Sequence, residues 1–159
     1  MSATAYFDAS AIVRLLVPEP ESLAIVEYLS HPRASNTSAL SLTEVTRGMR
    51  RADPTRDDVE EALAGFNLVR VDDELLKRAG QIGPRNLRAL DAIHLVSALA
   101  LQEPDLEFVT YDDRLVAAAR AHGLRVVQPG KNKVPGVRNV PGVPKVRVPR
   151  VPGVPAKGR

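Results

Sequence analysis

The sequence predicts an α/β fold with a largely parallel central sheet. Short apolar runs alternate with helical stretches from Thr4 to Val127, the order that strand–helix–strand crossovers impose. Two of those runs end directly in an acid, Tyr6-Phe7-Asp8 and Val109-Thr110-Tyr111-Asp112. Open α/β sheets bind ligands just beyond the carboxyl ends of their strands. The apolar share of 44% in 159 residues suffices for one core and an appendage.

The elements follow in order. Thr4 to Phe7 is a short apolar strand, and Ser10 to Leu16 a helix that stops before Pro18. Glu21 to Leu29 is an amphipathic helix, Arg33 to Thr37 a brief strand, and Leu40 to Arg51 a helix. Thr55 reads as a helix cap with Asp57 and Asp58 in the first turn, and that helix runs to about Ala64. Asn67 to Val71 is a strand, and Asp73 to Gln81 a helix broken by Gly83-Pro84. Leu87 to Gln102 is apolar almost all round, which predicts a buried helix. Leu106 to Thr110 is a strand, Asp113 to Ala121 a helix with Gly123 as its C-terminal stop, and Leu124 to Val127 a last strand.

Residues 1–128 therefore form the body, and residues 129–159 differ in kind. The stretch Val-Pro-Gly-Val-Arg-Asn-Val-Pro-Gly-Val-Pro and its continuation form a degenerate repeat. Proline removes donors and fixes φ while glycine loosens the chain, so a disordered, extended tail is expected. All 19 acids lie at or before Asp113, and eight Lys and Arg with no acid follow Pro129. The body thus carries 14 basic against 19 acidic residues, a net of −5. The tail reads as a solvated extension, with an RNA-attracting arm as the alternative use of its charge.

Composition excludes several chemistries. The absence of Cys removes disulfides, thiolate metal sites and Cys nucleophiles. Three scattered His residues make a multi-His zinc site a poor fit. Neither a basic leader nor an apolar run long enough to span a bilayer is visible, so a soluble cytoplasmic protein with no membrane partner is expected. A net-acidic body also binds nucleic acid poorly unless cations bridge it to phosphate.

Four acids draw attention: Asp8, Glu44, Asp91 and Asp112. Asp91 begins the apolar helix, where an ionised carboxylate is costly unless compensated. Each also has an ordinary reading. Asp8, Asp112 or Asp113 would serve as helix caps, Asp91 as a first-turn acid, Glu44 as a solvated helix residue. Spacing alone leaves these alternatives open.

The residues around the acids add a resemblance. Phe7-Asp8-Ala-Ser10-Ala, Ser38…Glu44-Val-Thr-Arg47-Gly, Arg88-Ala-Leu-Asp91-Ala-Ile-His94-Leu-Val-Ser-Ala and Val109-Thr110-Tyr-Asp112-Asp113-Arg114-Leu115 occur in that order. Together they resemble the motifs of the PIN-domain family, most closely its VapC-type toxins, over about residues 4 to 128. The resemblance implies a PIN-like, Rossmann-like three-layer fold with the acids in one pocket. It implies a Mg²⁺-dependent endoribonuclease, with Mn²⁺ as substitute, acting as the toxin of a VapBC-type toxin–antitoxin module. Asp8, Glu44, Asp91 and Asp112 fall on its catalytic and metal-ligating positions, with Ser10, Thr110 and Asp113 as auxiliaries. Arg85, Arg88 and Arg114 are candidates for holding RNA, and His94 reads as a structural hydrogen-bonding residue. By the same analogy the substrate is tRNA or ribosomal RNA, the partner a cognate antitoxin, and the assembly a homodimer built on Glu21 to Leu29 and Leu40 to Arg51.

That chemistry suits the residues. Oxygen-rich sites select Mg²⁺ or Mn²⁺, and a metal mechanism needs neither a His base nor a Cys nucleophile. A haloacid dehalogenase-type phosphatase wants a second Asp two residues after the first, where Ser10 stands. A phosphoacceptor receiver domain needs a late Lys, and the body has only Lys77. The remaining rival is a PIN-like fold kept as a non-catalytic RNA- or protein-binding module.

Overall fold

The computed structural model describes residues 3–53 and 58–131. Within them the strands are β1 (Ala3–Phe7), β2 (Arg33–Ser38), β3 (Asn67–Val69), β4 (Glu107–Val109) and β5 (Arg125–Val127). The helices are α1 (Ala9–Leu16), α2 (Ser22–Ser30), α3 (Ser41–Ala52), α4 (Val59–Leu63), α5 (Asp73–Gln81), α6 (Ala89–Leu99) and α7 (Asp113–Ala121). The strands form one sheet in the order β3-β2-β1-β4-β5. Every pairing in it is parallel, rather than only most of them.

Side chains on β1 alternate between the two faces. Ala5 and Phe7 face a core shared with α1 through α4, including Ile12, Leu15, Ile25, Val45, Met49 and Leu63. Tyr6 faces the opposite core with Leu95, Phe108, Leu115, Ala118 and Ala119. A third cluster joins α5 to α6 through Leu75, Ala79, Ala92 and Val96. The result is three layers, helices–sheet–helices. Burying one Leu or Ile in such a layer contributes about 1.5–3 kcal/mol.

Strand β2 is polar yet buried: Ser35, Asn36, Thr37 and Ser38 are all inside. Its side chains bond to the chain around them, as buried polar groups must. Asn36 Nδ2 donates to the Ala5 carbonyl at 3.2 Å. The Thr37 hydroxyl donates to the Phe7 carbonyl at 2.7 Å and meets Ser41 Oγ at 2.7 Å. The last turn of β1 is thereby tied to the start of α3.

Several boundaries differ from those the sequence predicts. β3 stops at Val69 rather than Val71, because its partner β2 ends at Ser38 and turns into α3. α6 runs from Ala89 to Leu99, shorter than Leu87 to Gln102. Gln102 takes a positive φ of 53° that no helix continues through. α6 also shows Leu90 to solvent. The helix start read at Thr55 lies outside the described residues, as does the tail from residue 132. Gly123 takes a left-handed φ of 78° after α7, as expected of it.

At the amino ends of the strands, Glu107 on β4 is clamped by Arg33 Nη1 at 2.9 Å and Arg125 Nη1 at 3.2 Å. The Tyr28 hydroxyl donates to the same carboxylate, and the Arg33 guanidinium lies 3.7 Å from the Tyr28 ring centre. No helix among the described residues is long and apolar enough to cross a membrane.

Leu115 is fully buried in α7, whereas Leu76 of α5 is exposed. Leu115→Ala is expected to lower the free energy of unfolding by about 2–5 kcal/mol. Leu76→Ala is expected to change it by no more than about 0.5 kcal/mol. Urea titration monitored by circular dichroism measures both.

Candidate active site

In a parallel sheet every strand points the same way, so the helices that follow strands start at one edge. β1 ends at Phe7 and α1 begins at Ala9; β4 ends at Val109 and α7 begins at Asp113. These two strands are neighbours, and the connections that follow them go opposite ways, from β1 to β2 on one side and from β4 to β5 on the other. That is the topological switch point, where an α/β sheet opens a crevice.

Asp8 is the N-cap of α1, with Oδ1 accepting the Ala11 N–H at 3.0 Å. The Ser10 hydroxyl lies 2.7 and 2.9 Å from its two oxygens, and the Thr110 hydroxyl donates to Oδ2 at 2.8 Å. Only 4% of Asp8 is exposed. Burial pushes its carboxyl above the usual carboxylate range, against the pull of His94, of the Ser10 and Thr110 hydroxyls and of the Ala11 N–H. Asp112 is the N-cap of α7, with Oδ1 accepting the N–H groups of Arg114 and Leu115 at 2.9 and 3.2 Å. Thr110 Oγ1 also accepts the Asp112 N–H at 3.2 Å, so one hydroxyl joins the two capped turns.

Asp91 lies in the first turn of α6. Burial raises its carboxyl, the charges of Asp112 and Asp8 raise it further, and His94 and Arg88 oppose them. Its Oδ2 is buried with no hydrogen-bond partner. Glu44 stands in the first turn of α3 and accepts from His94, Oε2 to Nε2, at 2.7 Å. On the other side of the ring, His94 Nδ1 meets the Tyr6 hydroxyl at 2.8 Å. A carboxylate only accepts, so Nε2 carries the proton, and in the neutral ring Nδ1 accepts from Tyr6. Burial pushes the Tyr6 phenol well up, which keeps that proton on the oxygen.

Four carboxylates on four helix N-termini thus face one edge, with Ser10 and Thr110 between Asp8 and Asp112. Asp113 points elsewhere: its side chain is 87% exposed, and its Oδ1 accepts from Lys131 Nζ at 2.6 Å. That ion pair holds the Asp113 carboxyl below its ordinary range. Arg85, Arg88 and Arg114 are exposed. The charge of Arg88 reaches a site acid, Asp91.

The sequence reading missed three contributors. Tyr6 passes for one more apolar strand residue. Gln128 donates from Nε2 to the Thr110 carbonyl at 3.0 Å. Arg14 donates to the Ser10 carbonyl at 3.0 Å and lies 4.0 Å from the centre of the Tyr111 ring. A helical repeat puts Arg14 one turn after Ser10, the only local signal for it.

The donors are all oxygens, the set a hard divalent cation takes. The unpartnered Asp91 Oδ2 and the mutual repulsion among Asp8, Asp91 and Asp112 fit such an ion. Among the described residues no three acidic or imidazole side chains form a ready-made cage. Mg²⁺ does not demand one, since it keeps several waters and takes substrate phosphate beside one or two carboxylates.

Comparison with known proteins agrees with this architecture. The family model of the PIN domain matches residues 5–121. The chain is 45% identical over 130 residues to Ribonuclease VapC46 of Mycobacterium tuberculosis, covering 80% of this chain and 98% of that protein. It is 33% identical over 131 residues to Ribonuclease VapC47 of the same species, covering 79% and 96%. Among solved structures, the sarcin-ricin loop cleaving toxin VapC20 of M. tuberculosis superposes with a TM-score of 0.60 at 17% identity, over 72% of this chain and 94% of that one. A toxin–antitoxin complex from Klebsiella pneumoniae gives a TM-score of 0.60 at 22% identity, over 77% and 95%.

Two predictions follow from the geometry. A carboxyl raised by folding stabilises the fold below the unfolded carboxylate range and loses that contribution as pH climbs through the raised value, so at neutral pH the ionised Asp91 opposes folding. Asp91→Asn is therefore expected to melt at higher temperature than the wild type in EDTA, and to lose the upward shift that Mg²⁺ gives the wild type. Tyr6→Phe leaves His94 Nδ1 buried without a donor, a loss of about 1–3 kcal/mol that chemical denaturation will register.

Proposed function

The chain belongs to the PIN-domain family, and from that membership we propose that it is a ribonuclease toxin of the VapC kind that hydrolyses RNA phosphodiester bonds with a divalent cation. The observation that carries the reading is the oxygen-only cluster at the switch point, with Asp91 Oδ2 buried and unpartnered beside the charges of Asp8 and Asp112. The identity to the mycobacterial ribonucleases, which spans nearly their whole length, supports the same activity here.

Asp8, Asp91 and Asp112 would hold the ion, Mg²⁺ or in its place Mn²⁺, with Glu44 as a further ligand or the residue that orients the attacking water. The ion supplies charge neutralisation at the phosphate and a more acidic water. The protein supplies the arrangement. Ser10 and Thr110 fix both oxygens of Asp8. His94, anchored by Tyr6, aims Glu44. Helix N-termini favour the negative charges gathered on them by about 0.3–1 kcal/mol each. Arg85, Arg88 and Arg114, all exposed, are suited to flanking phosphates.

The substrate on this reading is a cellular RNA with an exposed single-stranded loop, a tRNA or ribosomal RNA, in the cytoplasm. The partner is an antitoxin whose extended segment covers the acidic groove and offers it an Arg. Leu23 on α2 and Leu42 on α3 leave apolar surface exposed, which supports a homodimer through those helices.

The test is incubation of the purified chain with total cellular RNA in Mg²⁺, in Mn²⁺ and in EDTA. Discrete fragments are expected with either metal and none with EDTA. Asp8→Asn is expected to cut more than about 100-fold more slowly, beyond the loss typical of a residue that only orients a ligand. Full activity of that variant would refute the assignment.

A further inference from the structure

Asp8 is held by two hydroxyls, and those hydroxyls are in turn held by the last residues of the body. We propose that Gln128 and the Pro129-Gly130 turn act as a strap that positions Thr110 and Ser10, and through them Asp8 and Asp112; this deepens the ribonuclease reading above and rests on it. The strap lies past residue 121, where the match to the PIN-domain model ends.

Each hydroxyl has a single proton and gives it to Asp8, Ser10 at 2.7 Å and Thr110 at 2.8 Å. Each then accepts a backbone N–H of the loop after β4: Ser10 Oγ from Tyr111 at 3.0 Å, and Thr110 Oγ1 from Asp112 at 3.2 Å. The aim of Asp8 therefore depends on where the backbone of residues 110–112 lies. The sheet does not fix it, because the β4–β5 register ends at Val109 and Val127. Gln128 follows directly, and its Nε2 donates to the Thr110 carbonyl at 3.0 Å. Thr110 is fully buried, so bulk water is no substitute for that donor.

The strap is closed on its other side. The Tyr111 hydroxyl donates to the Pro129 carbonyl at 2.7 Å. The Arg14 guanidinium lies 4.0 Å from the centre of the Tyr111 ring, donates to the Ser10 carbonyl at 3.0 Å and pairs with Glu21 at 3.3 Å. Gly130 turns at a φ of +84° against the start of α2, where an added Cβ would meet Ala24 Cβ at 2.9 Å and Glu21 Cα at 3.3 Å. α1, the site loop, the strap and the start of α2 thus form one ring of contacts. Gln128 and Gly130 are positioning residues in that ring, acting on the acids through Thr110, Tyr111 and Ser10.

The experiment compares the wild type with Gln128→Met, which keeps the length of the side chain and removes the donor, and with Gly130→Ala, which strains the same turn. Amide hydrogen exchange is followed by NMR in EDTA, without RNA. In both variants the Tyr111 and Asp112 amides are expected to exchange at least about 10-fold faster, while the β1–β2 ladder keeps its wild-type protection. Mg²⁺ is then titrated against melting temperature. The concentration that gives half of the upward shift is expected to rise about 10-fold, the low end of what losing a group behind a metal ligand costs. Wild-type exchange in either variant, or a wild-type Mg²⁺ midpoint, would overturn the proposal. So would faster exchange spread equally over the β1–β2 ladder, because the strap would then only stabilise the sheet. A wild type with no Mg²⁺ shift at all would remove the ribonuclease reading instead, and leave exchange at Tyr111 and Asp112 to decide the strap.

Discussion

Everything at the site depends on a sheet whose strands all run one way. Because β1, β2 and β4 end at one edge, the helices that follow them begin there, and α6 brings its first turn to the same place. Helix starts expose unpaired N–H groups and a partial positive charge. That is the one backbone environment in which several carboxylates can be gathered without a basic residue for each. Asp8 and Asp112 are caps, and Glu44 and Asp91 are first-turn acids. Capping does not compete with the catalytic role proposed for these residues, because the bonds that hold the helices also orient the acids.

The cost of gathering charge is met unevenly. Asp8, the most buried, receives hydroxyls from Ser10 and Thr110 as well as a backbone N–H. Asp112 keeps one oxygen on backbone N–H groups, and Glu44 has His94. Asp91 receives nothing at Oδ2. A protein selected for stability alone would not leave that atom bare on a largely buried helix. A protein that recruits a cation has reason to, since the deficit is what the ion repairs.

Much of this was legible in the chain. The strand–helix alternation gives the fold class because hydrophobic periodicity is local. The four acidic segments stand out because each couples an acid to a helix start. The Tyr6–His94–Glu44 chain was not legible, since its members are 88 and 50 residues apart and pair only through the sheet and α6. Asp113 shows the opposite failure. It neighbours Asp112 in sequence, but one residue along a helix is a turn of about 100°, enough to send its carboxylate to solvent and Lys131. β2 reads weakly as a strand because its buried face is made of Ser, Asn and Thr. Its burial depends on hydrogen bonds to neighbours that the sequence does not place.

The clamp on Glu107 by Arg33, Arg125 and Tyr28 sits at the amino ends of the strands, as far along the sheet from Asp8 as the strands allow. It ties together β2, β4, β5 and α2 without any residue that the acidic edge uses. The molecule is in effect two-ended, with an ion-paired fastening at one rim and the proposed reactive site at the other. Descendants of such a chain are free to drift in which RNA they cut, because mutations that reshape the working rim leave the fastening rim untouched.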